Sequence, residues 1–68
     1  MADVTNTETS AQRAKRDGFT VGFAVACAEL ARTHMRGDLA KLLLIESGIT
    51  LEMMRQAGVD QSDIETLR

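Results

Sequence analysis

Two short sequences near the end of the chain, SGIT at 47–50 and AGVD at 57–60, share one pattern: a glycine, a β-branched residue and then Thr or Asp. Glycine readily adopts the left-handed conformation that ends many helices. Thr and Asp are favoured as the residue that caps the next helix. The β-branched residue between them is expected to pack back on the helix just ended. The pattern therefore predicts that the second half of the chain consists of short helices joined by tight turns.

The first ten residues, MADVTNTETS, are polar and show no apolar period, so residues 1–10 are expected to form a mobile tail. Thr9 and Gln12 have the spacing of a capping box, in which each side chain accepts from the other residue's backbone amide. A single helical domain is therefore predicted for residues 11–68, beginning near Ser10 or Ala11.

The long first helix is expected to end at Gly37, with Asp38 capping the next helix. Asp60 and Asp63 resemble a capping box made of carboxylates at the start of the last helix. The predicted fold class is all-α, with one long N-terminal helix and three short ones. The four helices are expected near 11–36, 39–47, 51–57 and 61–67.

Helices 1 and 2 carry more apolar surface than one short chain can bury. In helix 2, the run LLLI at 42–45 covers the whole circumference, whereas a surface helix normally shows one apolar stripe. A monomer wrapped around helix 1 and a partner protein covering the second face are both possible. We favour a homodimeric helical bundle. The expected dimer interface consists of Phe19, Gly22, Phe23, Ala26, Leu30, Leu42 and Leu43.

Glycines inside helix 1 have two explanations. Gly18, Gly22 and Ala26 are spaced by four residues, so they could form a smooth strip where another helix approaches closely. Alternatively, the helix begins properly only after Gly18, since each internal glycine destabilises a helix by up to about 1 kcal/mol relative to alanine.

Composition limits the possible functions. The 68 residues include one cysteine, no tryptophan and no tyrosine, and the net charge is −2. A domain this small without disulfide or metal usually needs very good packing or a second copy of itself. The charge lacks the basic excess typical of nucleic-acid binding. There is no secretory-type N-terminus and no apolar stretch long enough to cross a membrane. We therefore expect a cytoplasmic protein.

Residues that could carry chemistry lack partners in the sequence. Cys27 lies in an apolar stretch with no histidine in helical register, so a small buried side chain is expected. His34 fits the C-terminal end of helix 1, where the helix dipole favours a cation. No set of carboxylates has the spacing of an acid–base pair or a metal site. The sequence predicts no enzyme activity, no cofactor and no metal.

The last fifteen residues, MRQAGVDQSDIETLR at 54–68, resemble the turn and recognition helix of phage-repressor-type helix-turn-helix domains. Ile64 and Leu67 match the inward positions of the second helix. That family reads DNA with polar or basic side chains, whereas Asp60, Asp63 and Glu65 would face the phosphates here. DNA binding as a small dimeric transcriptional regulator is the alternative function.

The whole chain resembles small accessory proteins of bacteriophages and prophages, through its polar tail, its Ala-rich helix, LLxxSGIT at 43–50 and AGVDxxDIxxLR at 57–68. That resemblance implies a non-enzymatic protein that binds a host protein and inhibits or redirects it. Methionines adapt to irregular partner surfaces, and acidic residues select basic partners. The expected partner-binding residues are Met35, Leu44, Met53, Met54, Asp60, Asp63 and Glu65.

Overall fold

The structure, a computed structural model, describes residues 9–68, and all regular secondary structure in this range is α-helical. The helices are α1 (Ser10–Thr33), α2 (Gly37–Ser47), α3 (Leu51–Ala57) and α4 (Gln61–Leu67). The predicted all-α fold, with one long helix followed by three short ones, is confirmed. Of the predicted tail, residues 1–8 lie outside the described residues, and Ser10 already belongs to α1.

The start of α1 has the predicted capping box. The Gln12 amide donates to Thr9 Oγ1 at 3.0 Å, and the Thr9 amide donates to Gln12 Oε1 at 2.9 Å. These two bonds satisfy backbone donors that have no partner inside the helix. The capping box therefore fixes the first turn at Ser10.

The end of α1 differs from the prediction. The helix ends at Thr33 rather than near Arg36, and Met35 takes the positive φ of 56° that we had assigned to Gly37. With this turn, the Arg36 amide donates back to the Leu30 carbonyl at 3.1 Å. Gly37 is instead the first residue of α2. The prediction was wrong because glycine permits a left-handed turn but does not require one.

Asp38 also has a different role from the one predicted. It lies in the first turn of α2, and Arg36 is the N-cap residue, without a side-chain capping bond. Two hydrogen bonds of 3.1 Å join the Arg36 guanidinium to the Asp38 carboxylate. This contact holds the pKa of Asp38 below its usual value and raises the pKa of Arg36. The pair closes the connection between α1 and α2 without a glycine turn.

Both C-terminal stops have the predicted form. Gly48 and Gly58 adopt left-handed conformations with φ of 78° and 91°, and each amide donates to carbonyls of the helix just ended. Ile49 and Val59 are buried behind these turns. Thr50 then caps α3 by accepting from the amide three residues on. The SGIT and AGVD patterns thus set both boundaries of α3.

The carboxylate capping box predicted at α4 does not form. Asp60 is the N-cap residue of α4, but its side chain makes no capping bond. Asp63 is buried and forms an ion pair with Arg32 of α1. The Asp63 carboxylate, which was expected to act within α4, therefore pairs instead with an arginine of α1.

The core lies along one side of α1, which contacts each of the other three helices. Small side chains of α1 and α2 let the helices approach closely, while Met54 and Ile64 are the largest fully buried side chains. The other helices cover only part of α1. Its Gly18, Gly22 and Ala26 remain exposed. The buried apolar residues are Ala24, Cys27, Ala28, Ala40, Leu44, Ile49, Met54, Val59, Ile64 and Leu67.

Candidate functional site

The residues predicted for a dimer interface lie on the outside of α1 and α2. Phe19 is 61% exposed, and Leu42 and Leu43 are 48% and 42% exposed. Gly22 and Ala26 are exposed, and Phe23 and Leu30 are half-buried. We call these seven residues the α1–α2 face. Whether they form a dimer interface stays a prediction at this point, but all of them are accessible to a partner.

A groove runs between the two helices within the α1–α2 face. It has a volume of about 450 Å³ and is lined by Phe23, Ala26, Cys27, Leu30 and Leu43, with Glu29 and His34 also in its lining. The Phe19 ring extends this apolar surface along α1, since its centroid lies 5.7 Å from that of Phe23. Such a groove can bind apolar side chains, because removal of apolar surface from water is favourable by about 25 cal/mol per Å² before the entropic costs of association.

The groove has no sign of nucleophilic chemistry. Cys27 is buried, and burial raises the pKa of its thiol, which keeps it protonated at neutral pH. A protonated thiol is a poor nucleophile and a poor metal ligand. The observed environment of Cys27 is that of a small apolar side chain in the wall of the groove.

Three of the predicted partner-binding residues are not accessible. Leu44 and Met54 belong to the core, and Asp63 is only 9% exposed. Leu44 was expected on an apolar surface that binds a partner, and that position is wrong because its side chain faces the core. The run LLLI covers every side of α2, so its sequence does not show which leucine faces inward. These side chains therefore offer almost no exposed surface to a partner.

The other predicted partner-binding residues remain on the surface. Met35 is 81% exposed in the turn after α1, and Met53 is half-buried. Asp60 and Glu65 are exposed on α4. Their binding role stays a prediction. None of these four residues lines the groove of the α1–α2 face.

A second apolar groove was missed at the level of sequence. It has a volume of about 320 Å³, lies between α2, α3 and α4, and we call it the α2–α4 groove. Ile45 is 76% exposed at this groove, and Lys41 and Arg68 also line it. The signal was present in the four consecutive apolar residues at 42–45. The remaining lining residues are Leu44, Ile49, Thr50, Leu51, Met54 and Leu67.

A polar contact between α1 and α4 fixes the position of the last helix. Arg32 pairs with Asp63 through one terminal nitrogen, and its Nε donates to Thr66 Oγ1 at 3.3 Å. The Asp63 side chain is largely buried, whereas the Arg32 side chain is 46% exposed. Arg32 therefore provides the partner that a buried carboxylate requires.

Arg32→Ala is expected to lower the free energy of unfolding by about 1–2 kcal/mol, because it leaves the Asp63 carboxylate buried without its partner. Because the Arg32 guanidinium is partly exposed, the expected loss of stability is smaller than for a fully buried ion pair. Arg55→Ala is the matched control, since it removes an exposed pair with Glu52. We expect the control to change stability by less than about 0.5 kcal/mol in urea denaturation. Equal losses in the two variants would contradict the role of Arg32.

The outer surface of α4 is acidic, and the cation at its C-terminal end, Arg68, is hydrogen-bonded to a carboxylate of the same helix. Gln61 Nε2 donates to Glu65 at 2.8 Å, and the Arg68 guanidinium contacts the same carboxylate at 3.2 Å. Asp60 adds a further exposed carboxylate at the start of the helix. DNA affinity depends largely on cations that replace the counterions of phosphates. The exposed carboxylates of α4 would repel the phosphates of DNA, so this surface opposes DNA binding.

Further observations concern metals, membranes and relatives. Within residues 9–68, no group of three or more His, Cys, Asp or Glu side chains is placed to hold a metal ion. No helix in the same range is long and apolar enough to span a membrane.

Comparisons with protein-family models, curated proteins and solved structures give no match to the chain.

Proposed function

We propose that the chain is a non-enzymatic, homodimeric accessory protein of the bacteriophage type, which binds a host protein in the cytoplasm and inhibits or redirects it. The observation that carries the proposal is the α1–α2 face. A phenylalanine that is 61% exposed and two leucines exposed by more than 40% are unusual on two neighbouring helices of so small a domain. Contiguous exposed apolar surface in a soluble protein typically marks an interaction site.

A second copy is the proposed occupant of the α1–α2 face. Within residues 9–68 the largest fully buried side chains are Met54 and Ile64, and three of the ten buried apolar residues are alanine. A core of this size rarely supplies more than about 3–5 kcal/mol of stability. Covering Phe19, Leu42 and Leu43 with a second copy would add apolar burial that one chain lacks.

The host protein is proposed to bind elsewhere, at the α2–α4 groove and the neighbouring exposed residues. Ile45 is the most exposed large apolar side chain of that groove. Since Leu43 lines the groove of the α1–α2 face and Ile45 lines the α2–α4 groove, a dimer could form through α1 and Leu43 and still present the α2–α4 groove. The acidic α4 would add selectivity by charge, which acts mainly on association rates and on rejection of wrong partners.

The proposal can be tested by affinity capture from host lysate, with and without nuclease, using the parent chain and Ile45→Glu. We expect one host protein to be captured by the parent regardless of nuclease and to be lost with Ile45→Glu. Gln56→Glu is the control, because it adds the same charge at an exposed position of α3 outside the α2–α4 groove. Capture that disappears with nuclease would contradict protein binding and support the alternative, a DNA-binding regulator.

A further inference from the structure

The charged residues on the exposed side of α1 form a self-complementary pattern, in which opposite charges lie at equal distances on either side of a central residue. Lys15, Gly22 and Glu29 are spaced by seven residues, which is about two helical turns, so they lie in one line along the helix. All three are exposed. Lys15 and Glu29 are therefore equally far from Gly22, about 10.5 Å on either side, and opposite in sign. A second α1 running in the opposite direction would place each lysine opposite a glutamate.

We propose that two copies of this chain associate through α1 in antiparallel orientation, with the two-fold axis beside Gly22 and with Lys15 of each copy paired with Glu29 of the other. This inference rests on the dimer proposed above and specifies its orientation and register. Two-fold interfaces use the same surface of both subunits, so a self-complementary pattern is what such an interface requires. The parallel orientation would instead oppose lysine to lysine and glutamate to glutamate.

Apolar residues beside this line support the same arrangement. Phe19 and Phe23 flank the line on the side of α2, since Phe23 lines the groove together with Leu43. In a two-fold pair about Gly22, the two phenylalanines of each copy fall on the same flank as those of the other. They would form a cluster of four rings over the axis. The exposed ring of Phe19 thereby gains the apolar cover that it lacks in the single chain.

The backbone at the axis allows close approach. A Cβ placed at Gly18 or Gly22 would meet no atom of the described chain within 4 Å, apart from the helix's own backbone. The two glycines are therefore not required by packing within the chain. A second helix can approach nearer to glycine than to a larger residue, which shortens the distance that the two ion pairs must span.

Charge reversal at the two positions tests the register. In Lys15→Glu and in Glu29→Lys, each homodimer would contain two like-charged contacts. We expect the dimer dissociation constant, measured by analytical ultracentrifugation, to rise by about tenfold in either variant. The double variant Lys15→Glu/Glu29→Lys restores two opposite-charge contacts with the parental net charge. Its dissociation constant is expected to return to the parental value.

Matched controls separate register from net charge. Lys41→Glu and Glu52→Lys make the same changes in charge at exposed positions away from the α1 line, and we expect them to leave the dissociation constant unchanged. Circular dichroism of every variant checks that the helices remain. A dimeric parent whose reversals behave like these controls, or a double variant weaker than either single one, would overturn the register but leave the dimer. A parent that stays monomeric would overturn both.

A cross-linking experiment gives a second readout of the same geometry. In a Cys27→Ala background, Gly22→Cys places two thiols beside the two-fold axis, within reach of a disulfide. Gly18→Cys is the matched control. It makes the same change one helical turn away, so its two thiols would lie about 12 Å apart, measured parallel to the two helices. We expect rapid oxidation to a covalent dimer only for Gly22→Cys. Equal cross-linking of both, or of Gly18→Cys alone, would overturn the proposed axis.

Discussion

Met54→Ala is expected to lower the free energy of unfolding by about 2–5 kcal/mol, the range for truncating a large buried side chain to alanine. Met54 is completely buried and, with Ile64, is one of the two largest fully buried side chains in residues 9–68. The variant loses the apolar burial of this side chain and leaves a cavity in the core. Because a domain of this size has only a few kcal/mol of stability, most of the variant should be unfolded at 37 °C.

Met53→Ala is the matched control for this prediction. It removes the same atoms from the adjacent residue, which is only half-buried, so the expected loss is less than half of that for Met54→Ala. Urea denaturation followed by circular dichroism measures both values under the same conditions. A loss of less than about 1 kcal/mol for Met54→Ala, or equal losses in both variants, would contradict the core described above.

Leu43→Glu is expected to convert the proposed dimer to a folded monomer. The side chain is 42% exposed in the single chain, so a glutamate there can remain in water without disturbing the core. In the proposed dimer the same carboxylate would be buried against apolar side chains in both copies. An unpaired charge in such a place is strongly unfavourable. We expect the dissociation constant to rise by at least about a hundredfold.

The control for Leu43→Glu is Ile45→Glu, which changes a more exposed apolar residue of the same helix outside the α1–α2 face. Mass from light scattering and helicity from circular dichroism are measured for both variants. We expect Ile45→Glu to remain dimeric and helical. Loss of helicity in Leu43→Glu would show that this leucine acts in folding, and dissociation of both variants would show that the interface is elsewhere.

Helix boundaries set by neighbouring residues could be predicted from the sequence. The capping box at Thr9, the left-handed turns at Gly48 and Gly58, and the cap at Thr50 depend only on residues within a few positions of each other. The end of α1 could not be predicted in the same way. There, the bond from the Arg36 amide to the Leu30 carbonyl stabilises a left-handed turn at Met35, a conformation that is more typical of glycine.

Contacts between distant residues were beyond the reach of local patterns. Asp63 has a nearby acidic neighbour in the sequence, which suggested a capping role, but its partner Arg32 is 31 positions away on another helix. The α2–α4 groove was missed for a related reason. An apolar run that covers the whole of a helix gives no sign of which side faces the core, so the inward position of Leu44 and the outward position of Ile45 needed the packed structure.

The central claim is that a second copy of the chain covers the α1–α2 face, and the mass of the parent protein in solution tests it most directly. Light scattering after size-exclusion chromatography, repeated over a series of concentrations, gives that mass without reference to shape. The account predicts a mass of two chains that falls toward one chain on dilution. A mass of one chain at every concentration up to the solubility limit would contradict it, and the exposed phenylalanine and leucines would then need another explanation.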